Sequence, residues 1–348
     1  MTNELRSDMA LAAARRADGV IRDIASAGAS HWSAEALDRS ATVALGRWLQ
    51  ARAYGFTTGT PETHRRVLAN GPQEARDLRD IFGWSRPFRS GVLPDQARTL
   101  LERAGALQLL KHGLMRSRIR FSSLAGLLIV HSAHPTTAGD AVFFGPDTYR
   151  FAALIRATLA QRCVSMRHIV DIGCGSGAGG LLAAHLLGLR VRLTLADLSP
   201  AALRCAEINA ELAGIEVSCR LSDVLASVEG KADLILSNPP YLADPQGRLY
   251  RNGGGAHGCE LSLRIVRESL PRLAPGGRLV LYTGTAIVDG RDEFRHAVEP
   301  LLRKARIDHV YGELDPDVFG EELDQPAYAD VERIAVVGLV ARATGYAS

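Results

Sequence analysis

Two loops in this 348-residue chain carry residues whose types and spacing suit chemistry. The first is Asp171-x-Gly173-x-Gly175-x-Gly177, behind the apolar run His168-Ile-Val. Glycines in such a turn let backbone approach a ligand closely. Gly175-x-Gly177-x-x-Gly180 also satisfies the dinucleotide fingerprint, so an NAD-dependent oxidoreductase is a remote alternative. Asp171 separates the readings, because a carboxylate repels a pyrophosphate and attracts a cation. Asp197 ends the next expected strand, placed to accept two ribose hydroxyls. Asp223 follows the third strand, near where an adenine amino group would lie. Carboxylates at three strand ends suit an adenosyl sulfonium ligand, although such residues also cap helices. Cys174 and Leu198 adjoin these positions and join the expected ligand lining. A packing role also fits Cys174.

The second loop is Asn238-Pro239-Pro240-Tyr241 after the fourth strand. Paired prolines fix the backbone and remove two N–H groups, so carbonyls can point outward. The Asn238 amide oxygen and the Pro239 carbonyl can each accept a hydrogen bond from one NH₂ group. Tyr241 offers an aromatic face for a planar acceptor. An amide or exocyclic amine nitrogen is a poor nucleophile because its lone pair is delocalised. Two acceptors on its hydrogens stabilise the positive charge that develops during attack. The spacing therefore predicts transfer of a group to a planar nitrogen, with Asn238, Pro239 and Tyr241 as the catalytic set.

Both loops need a sheet to position them. From residue 167 onward, apolar runs alternate with helical patterns. Strands are expected at 168–172, 191–196, 216–221, 234–237, 278–283, 308–311 and 333–340. Helices are expected at 179–187, 200–213, 259–273 and 289–305. That alternation predicts an α/β fold, a Rossmann-like doubly wound parallel sheet. The last two strands have no helix between them, so one should run antiparallel near the sheet's edge. Residues 1–110 read mostly as helix, including 11–24 and 34–53. Residues 114–122 alternate Arg with apolar residues, a strand pattern, and 127–131 form a second strand after a turn at Ala125-Gly126. A helix followed by such a ribbon is architecturally similar to a winged helix. The expected division is an N-terminal mainly helical domain over 1–140, for substrate recognition, and a catalytic domain over 141–348.

Composition narrows the class. Hydrophobic residues make up 47% and charged residues 23%, a globular balance. No long apolar run or signal-peptide pattern appears, which predicts a cytoplasmic protein without a membrane partner. Five cysteines with no C-x-x-C pair argue against a disulfide framework or structural zinc, and no metal is expected. Residues 1–140 hold 19 Lys+Arg against 13 Asp+Glu, while the remainder is net acidic. Arg116, Arg118 and Arg120 would share one strand face, as candidate phosphate contacts. In contrast, 311–332 carries eight carboxylates and no Lys or Arg, and would repel phosphates if it overhung the site.

The two loops together resemble class I S-adenosylmethionine-dependent methyltransferases with an Asn-Pro-Pro-Tyr motif. The chain looks most like the release-factor glutamine methyltransferase (HemK) family. Residues 143–149 (FFGPDTY) look like that family's proline-containing stretch, and 253–263 like its Gly-rich entry to the next helix. The resemblance covers roughly 140–342. It implies S-adenosyl-L-methionine as cofactor, contacted by Asp171, Gly173, Cys174, Gly175, Gly177, Asp197, Leu198, Asp223 and Asn238. It also implies a methyl acceptor held near Asn238, Pro239 and Tyr241, with Phe144, Thr148, Tyr149, Pro240, His257 and Tyr282 as candidate substrate contacts. The family's stretch usually carries Arg after the proline, whereas Asp147 follows Pro146 here. The acceptor stays open between a protein glutamine, a nucleic-acid base (adenine N6 or guanine N2) and a small molecule. Transfer of another group from the same sulfur, and a non-catalytic nucleic-acid-binding role, also stay open. The oligomeric state is not legible.

Overall fold

Asp38 opens the first described α-helix by accepting from the Ala41 N–H, and α1 runs Arg39–Gln50. The computed structural model describes residues 32–136, 138–160, 166–188, 191–244, 247, 248 and 250–344. The helix expected over 11–24 and Cys163 lie outside these residues. Three further helices follow: α2 (Pro61–Asn70), capped by Thr60, α3 (Leu78–Phe82) and α4 (Asp95–Arg103). The expected single strand over 114–122 is two strands. β1 (Leu107–Leu109) pairs with β2 (Met115–Ser117), and β3 (Ile119–Leu124) pairs with β4 (Leu127–Ser132). The break falls at Arg118. There the Ser117 hydroxyl donates to the Ile119 carbonyl and accepts from the Ile119 N–H, bending the chain. Ala125 and Gly126 both take positive φ, which makes the tight hairpin turn.

That break overturns the expected basic face. Arg116 and Arg120 are 8% and 4% exposed, and Arg118 lies over the Trp32 ring. The hairpin β3–β4 is almost wholly buried and packs against the helix Pro200–Ala213, so it does not project as a wing.

Helix α5 (Pro146–Ala160) leads into β5 (His168–Ile172). Then follow α6 (Ala178–Leu187), β6 (Arg192–Asp197), α7 (Pro200–Ala213), β7 (Val217–Leu221), β8 (Ala232–Ser237) and α8 (Glu260–Ser269). The chain ends with β9 (Leu273–Val288), β10 (Arg291–Asp292), α9 (Glu293–Lys304), β11 (Asp308–Asp315) and β12 (Arg333–Arg342). The sheet order is β11-β12-β9-β8-β5-β6-β7. β5 through β9 pair in parallel, and β12 runs antiparallel to both of its neighbours. Strand order therefore reverses between β5 and β8, where ligands bind in open α/β sheets. The glycine loop leaves β5 there, and the proline loop leaves β8 beside it.

Helix α7 serves both parts of the chain. Ser199 caps it and Pro200 occupies its first turn. Its Ala201, Cys205 and Ile208 join the core that holds Leu45, Leu49 and Phe121. Asn209, fully buried, accepts from the Val130 N–H and donates to the carbonyls of Val130 and Ser176. One side chain thus ties the hairpin to the glycine loop. Its loss would leave buried backbone groups unpaired, at about 1–3 kcal/mol each.

Candidate active site

The glycine loop and the proline loop line one cavity. On the glycine side, Gly173, Gly175 and Gly177 take φ of 61°, 53° and 78°, a left-handed turn that other residues adopt at a cost. The carboxylates hold this turn in place. Asp197 accepts from the Gly175 N–H at 2.8 Å and from the Ser199 N–H at 2.8 Å, one on each oxygen. Asp171 Oδ2 accepts from the Gly180 N–H at 2.7 Å, while its Oδ1 has no hydrogen bond among the described residues. The N–H groups of Cys174, Gly175 and Gly177 in the loop and of Gly180 in the first turn of α6 are therefore spoken for, which leaves a pyrophosphate poorly served. Burial pushes the Asp171 carboxyl up to about 7, with the nearby Asp197 adding to the rise against the Gly180 N–H. A buried carboxylate in the cavity lining fits a cationic group such as an ammonium. Each Asp197 oxygen keeps a lone pair for a hydroxyl. Asp223 lines the same cavity, but both its oxygens accept from Arg264, at 2.9 and 2.8 Å. The residues present fit S-adenosylmethionine.

On the other side stands Asn238, partly exposed at the end of β8. Its side-chain amide makes no hydrogen bond to described residues. Pro239 and Pro240 fix the backbone beside it. Tyr241 is 6% exposed and held on three sides. Its hydroxyl donates to Asp147 Oδ2 at 2.7 Å. Its ring lies so close to Gly284 that a Cβ there would come within 2.1 Å of Tyr241 Cδ2. Phe319 meets it edge-on, with ring centroids 6.0 Å apart and planes at 62°. The open aromatic face expected of Tyr241 is thus already packed. Asp147 is the hub: its Oδ1 also accepts from the Tyr282 hydroxyl at 2.7 Å and from Arg150 at 3.1 Å. Burial pushes the Tyr241 hydroxyl well above the ordinary phenol range, and the Asp147 carboxylate adds to the rise, so Tyr241 is a donor here and not a base.

The cavity brings together every expected cofactor-side residue except Gly177, which shapes the turn from behind against Leu195 and Ala206. Of the expected substrate contacts, Thr148 and Pro240 line it and four do not. Phe144 is 1% exposed and stacks on His131, while its neighbour Phe143 lines the cavity instead. The Tyr149 hydroxyl accepts from the Thr58 N–H, away from the cavity. Tyr282 is fully buried beneath Asp147, with its ring edge-on to that of Tyr241. His257 stacks on Tyr328 and is held between Glu293 at 2.6 Å and Asp330 at 3.2 Å. Sequence reasoning missed Asp147, Phe319 and Arg251. Asp147 was visible as a departure from the family pattern, and Phe319 lay inside the acidic segment. Arg251 is paired with the buried Glu322 of that segment. The lining otherwise carries the carboxylates of Asp140, Asp147, Asp171, Asp197 and Asp223.

Residues 150–287 match the family described as Methyltransferase small domain. A release factor glutamine methyltransferase from Bradyrhizobium diazoefficiens is 30% identical over 261 residues, covering 66% of this chain and 84% of that protein. The one from Cereibacter sphaeroides is 38% identical over 148 residues, 38% of this chain and 51% of that protein. Against that relative the chain spans about half the length. A ribosomal RNA small subunit methyltransferase C from an Enterobacter species is 31% identical over 112 residues, 32% of this chain and 29% of that protein. With a match across most of one relative's length, the chain belongs to the release factor glutamine methyltransferase family.

Proposed function

We propose that the protein is an S-adenosylmethionine-dependent methyltransferase whose acceptor is the side-chain amide nitrogen of a glutamine in another protein. The carrying observation is the free Asn238 amide beside a packed Tyr241, across the cavity from the glycine loop. When bound, the donor supplies an electrophilic methyl group on a sulfonium. Asn238 Oδ1 and the Pro239 carbonyl accept the two N–H groups of the acceptor amide, orient its lone pair and offset the charge that develops on nitrogen. The proton lost from nitrogen leaves to solvent. The carboxylates of the glycine side hold the donor's cationic and hydroxyl groups. A polypeptide acceptor is favoured over nucleic acid by the acidic lining and by the burial of Arg116 and Arg120.

The test is transfer from methyl-labelled donor into extract of cells lacking the protein. Label released by protease, and recovered as N-methylglutamine, supports the reading. Label released by nuclease would replace it with base methylation, the chemistry that would suit the match to the ribosomal RNA enzyme.

A further inference from the structure

Within the acidic segment, Phe319 has φ 54° and ψ 40°, the left-handed region, and is not a glycine. A bulky residue pays strain there and stays only when its surroundings over-determine it. They do so here. The Val318 N–H donates to the Ile334 carbonyl of β12, and the Phe319 carbonyl accepts from the Glu322 N–H. Glu322, buried, is bonded by Arg251, whose guanidinium lies 6.0 Å from the Phe319 ring. Asp315, earlier in the same segment, pairs with Arg150 at 2.7 Å, and Arg150 also holds Asp147. The strained residue therefore delivers one side chain, the Phe319 ring, to the cavity wall beside Tyr241.

Gly284 already covers one part of the Tyr241 ring. A flat group placed between Tyr241 and Phe319 would need ring planes about 7 Å apart, two carbon–carbon contact distances. The centroids are 6.0 Å apart and the planes are tilted by 62°. A purine cannot enter that wedge without displacing Phe319, whereas a side-chain amide needs only the Asn238 edge of the cavity. Building on the methyltransferase reading, we propose that Phe319 is the specificity-determining residue of the acceptor site, closing the face of Tyr241 so that an amide is admitted and a nucleobase refused.

The experiment compares the full chain with its F319A, F319G and F319Y variants. The acceptors are a glutamine-containing peptide and the free nucleosides adenosine and guanosine, with S-adenosylmethionine as donor. F319G removes the ring and relieves the backbone strain together, so it guards against a misfolded segment. F319A and F319G are expected to gain transfer to a nucleoside that the unaltered protein refuses. Both should raise the peptide KM by roughly tenfold, with donor affinity unchanged, and F319Y should restore the original pattern. Refusal of nucleosides by both variants, or equal nucleoside turnover by the unaltered protein, overturns the proposal. If the unaltered protein does not methylate the peptide, the glutamine reading falls, and the nucleoside comparison still decides the role of Phe319.

Discussion

Gly173 and Gly175 line one side of the cavity from a single turn that Gly177 shapes from behind, whereas Asp147, Tyr241 and Phe319 line the other side from three separate segments, with Tyr282 beneath Asp147. The glycine side is backbone, held by two carboxylates through short N–H···O bonds. The acceptor side is a stack of side chains around one buried carboxylate. A backbone-built half is shaped by local spacing and tolerates change around it. A side-chain-built half depends on each member, because no second group takes over when one is removed. The two halves should therefore fail differently.

The largest effect should come from Asn238→Ala. It removes one of two acceptors for the reacting N–H groups, and kcat should fall on the order of 10²–10³-fold, as for loss of one group that stabilises developing charge. Calorimetry should find donor affinity nearly intact. Equal loss of donor binding would erase the proposed division of the cavity.

Asp147→Asn comes next. The amide keeps the shape but cannot accept from two hydroxyls and Arg150 as a carboxylate does. Tyr241 would lose its fixed position, and a displacement near 1 Å can cost about 10²-fold in rate. Donor affinity should hold while kcat falls, and Asp147→Glu should recover part of the loss. A fall in melting temperature with unchanged kcat would mean that Asp147 serves packing alone.

How far these residues were legible in the sequence follows the same division. β5 and α7 occur over the very residues expected, and the other core strands begin or end within a few. Their signal is local: apolar runs, Ser199-Pro200 at a helix start, glycine at a turn. β9, expected at 278–283, spans Leu273–Val288, because its first residue pairs with β8 and its C-terminal end with β12 and β10, whatever its own apolar pattern. The Asn238–Tyr241 motif was legible, yet the packed state of Tyr241 was not. It depends on Gly284 and Phe319, which are distant in sequence. Arg116 and Arg120 show the converse error. Period-2 alternation marks two faces, but it does not say which face is covered, and here the hairpin is buried on both.

The pH dependence should separate the halves again. Asp171 is raised to about 7 by burial, with no cation beside it among the described residues. A bound ammonium favours the charged carboxylate, so binding lowers this pKa and releases a proton. Donor affinity should then rise with pH up to about 7, by at most roughly tenfold per unit, and level off above it. Asp171→Asn should weaken binding and flatten the profile. The acceptor side holds Tyr241 and Tyr282, both raised further above the phenol range, so peptide KM should stay flat from about pH 6 to about pH 9. A donor affinity that ignores pH would show that Asp171 meets no cation.

The smallest effect should come from Arg264→Ala. Arg264 grips both oxygens of Asp223, but each side chain is nearly half exposed, at 43% and 46%. An ion pair so open to water contributes about 0.2–1 kcal/mol. Asp223 would lose its fixed direction toward the cavity. Donor affinity should weaken by less than about fivefold, and added salt should shrink the difference between the two proteins. Adenosine alone, which lacks the methionine part, should show the same ratio if Asp223 meets the adenine. A larger loss for the whole donor than for adenosine would move Arg264 toward the methionine end of the donor half.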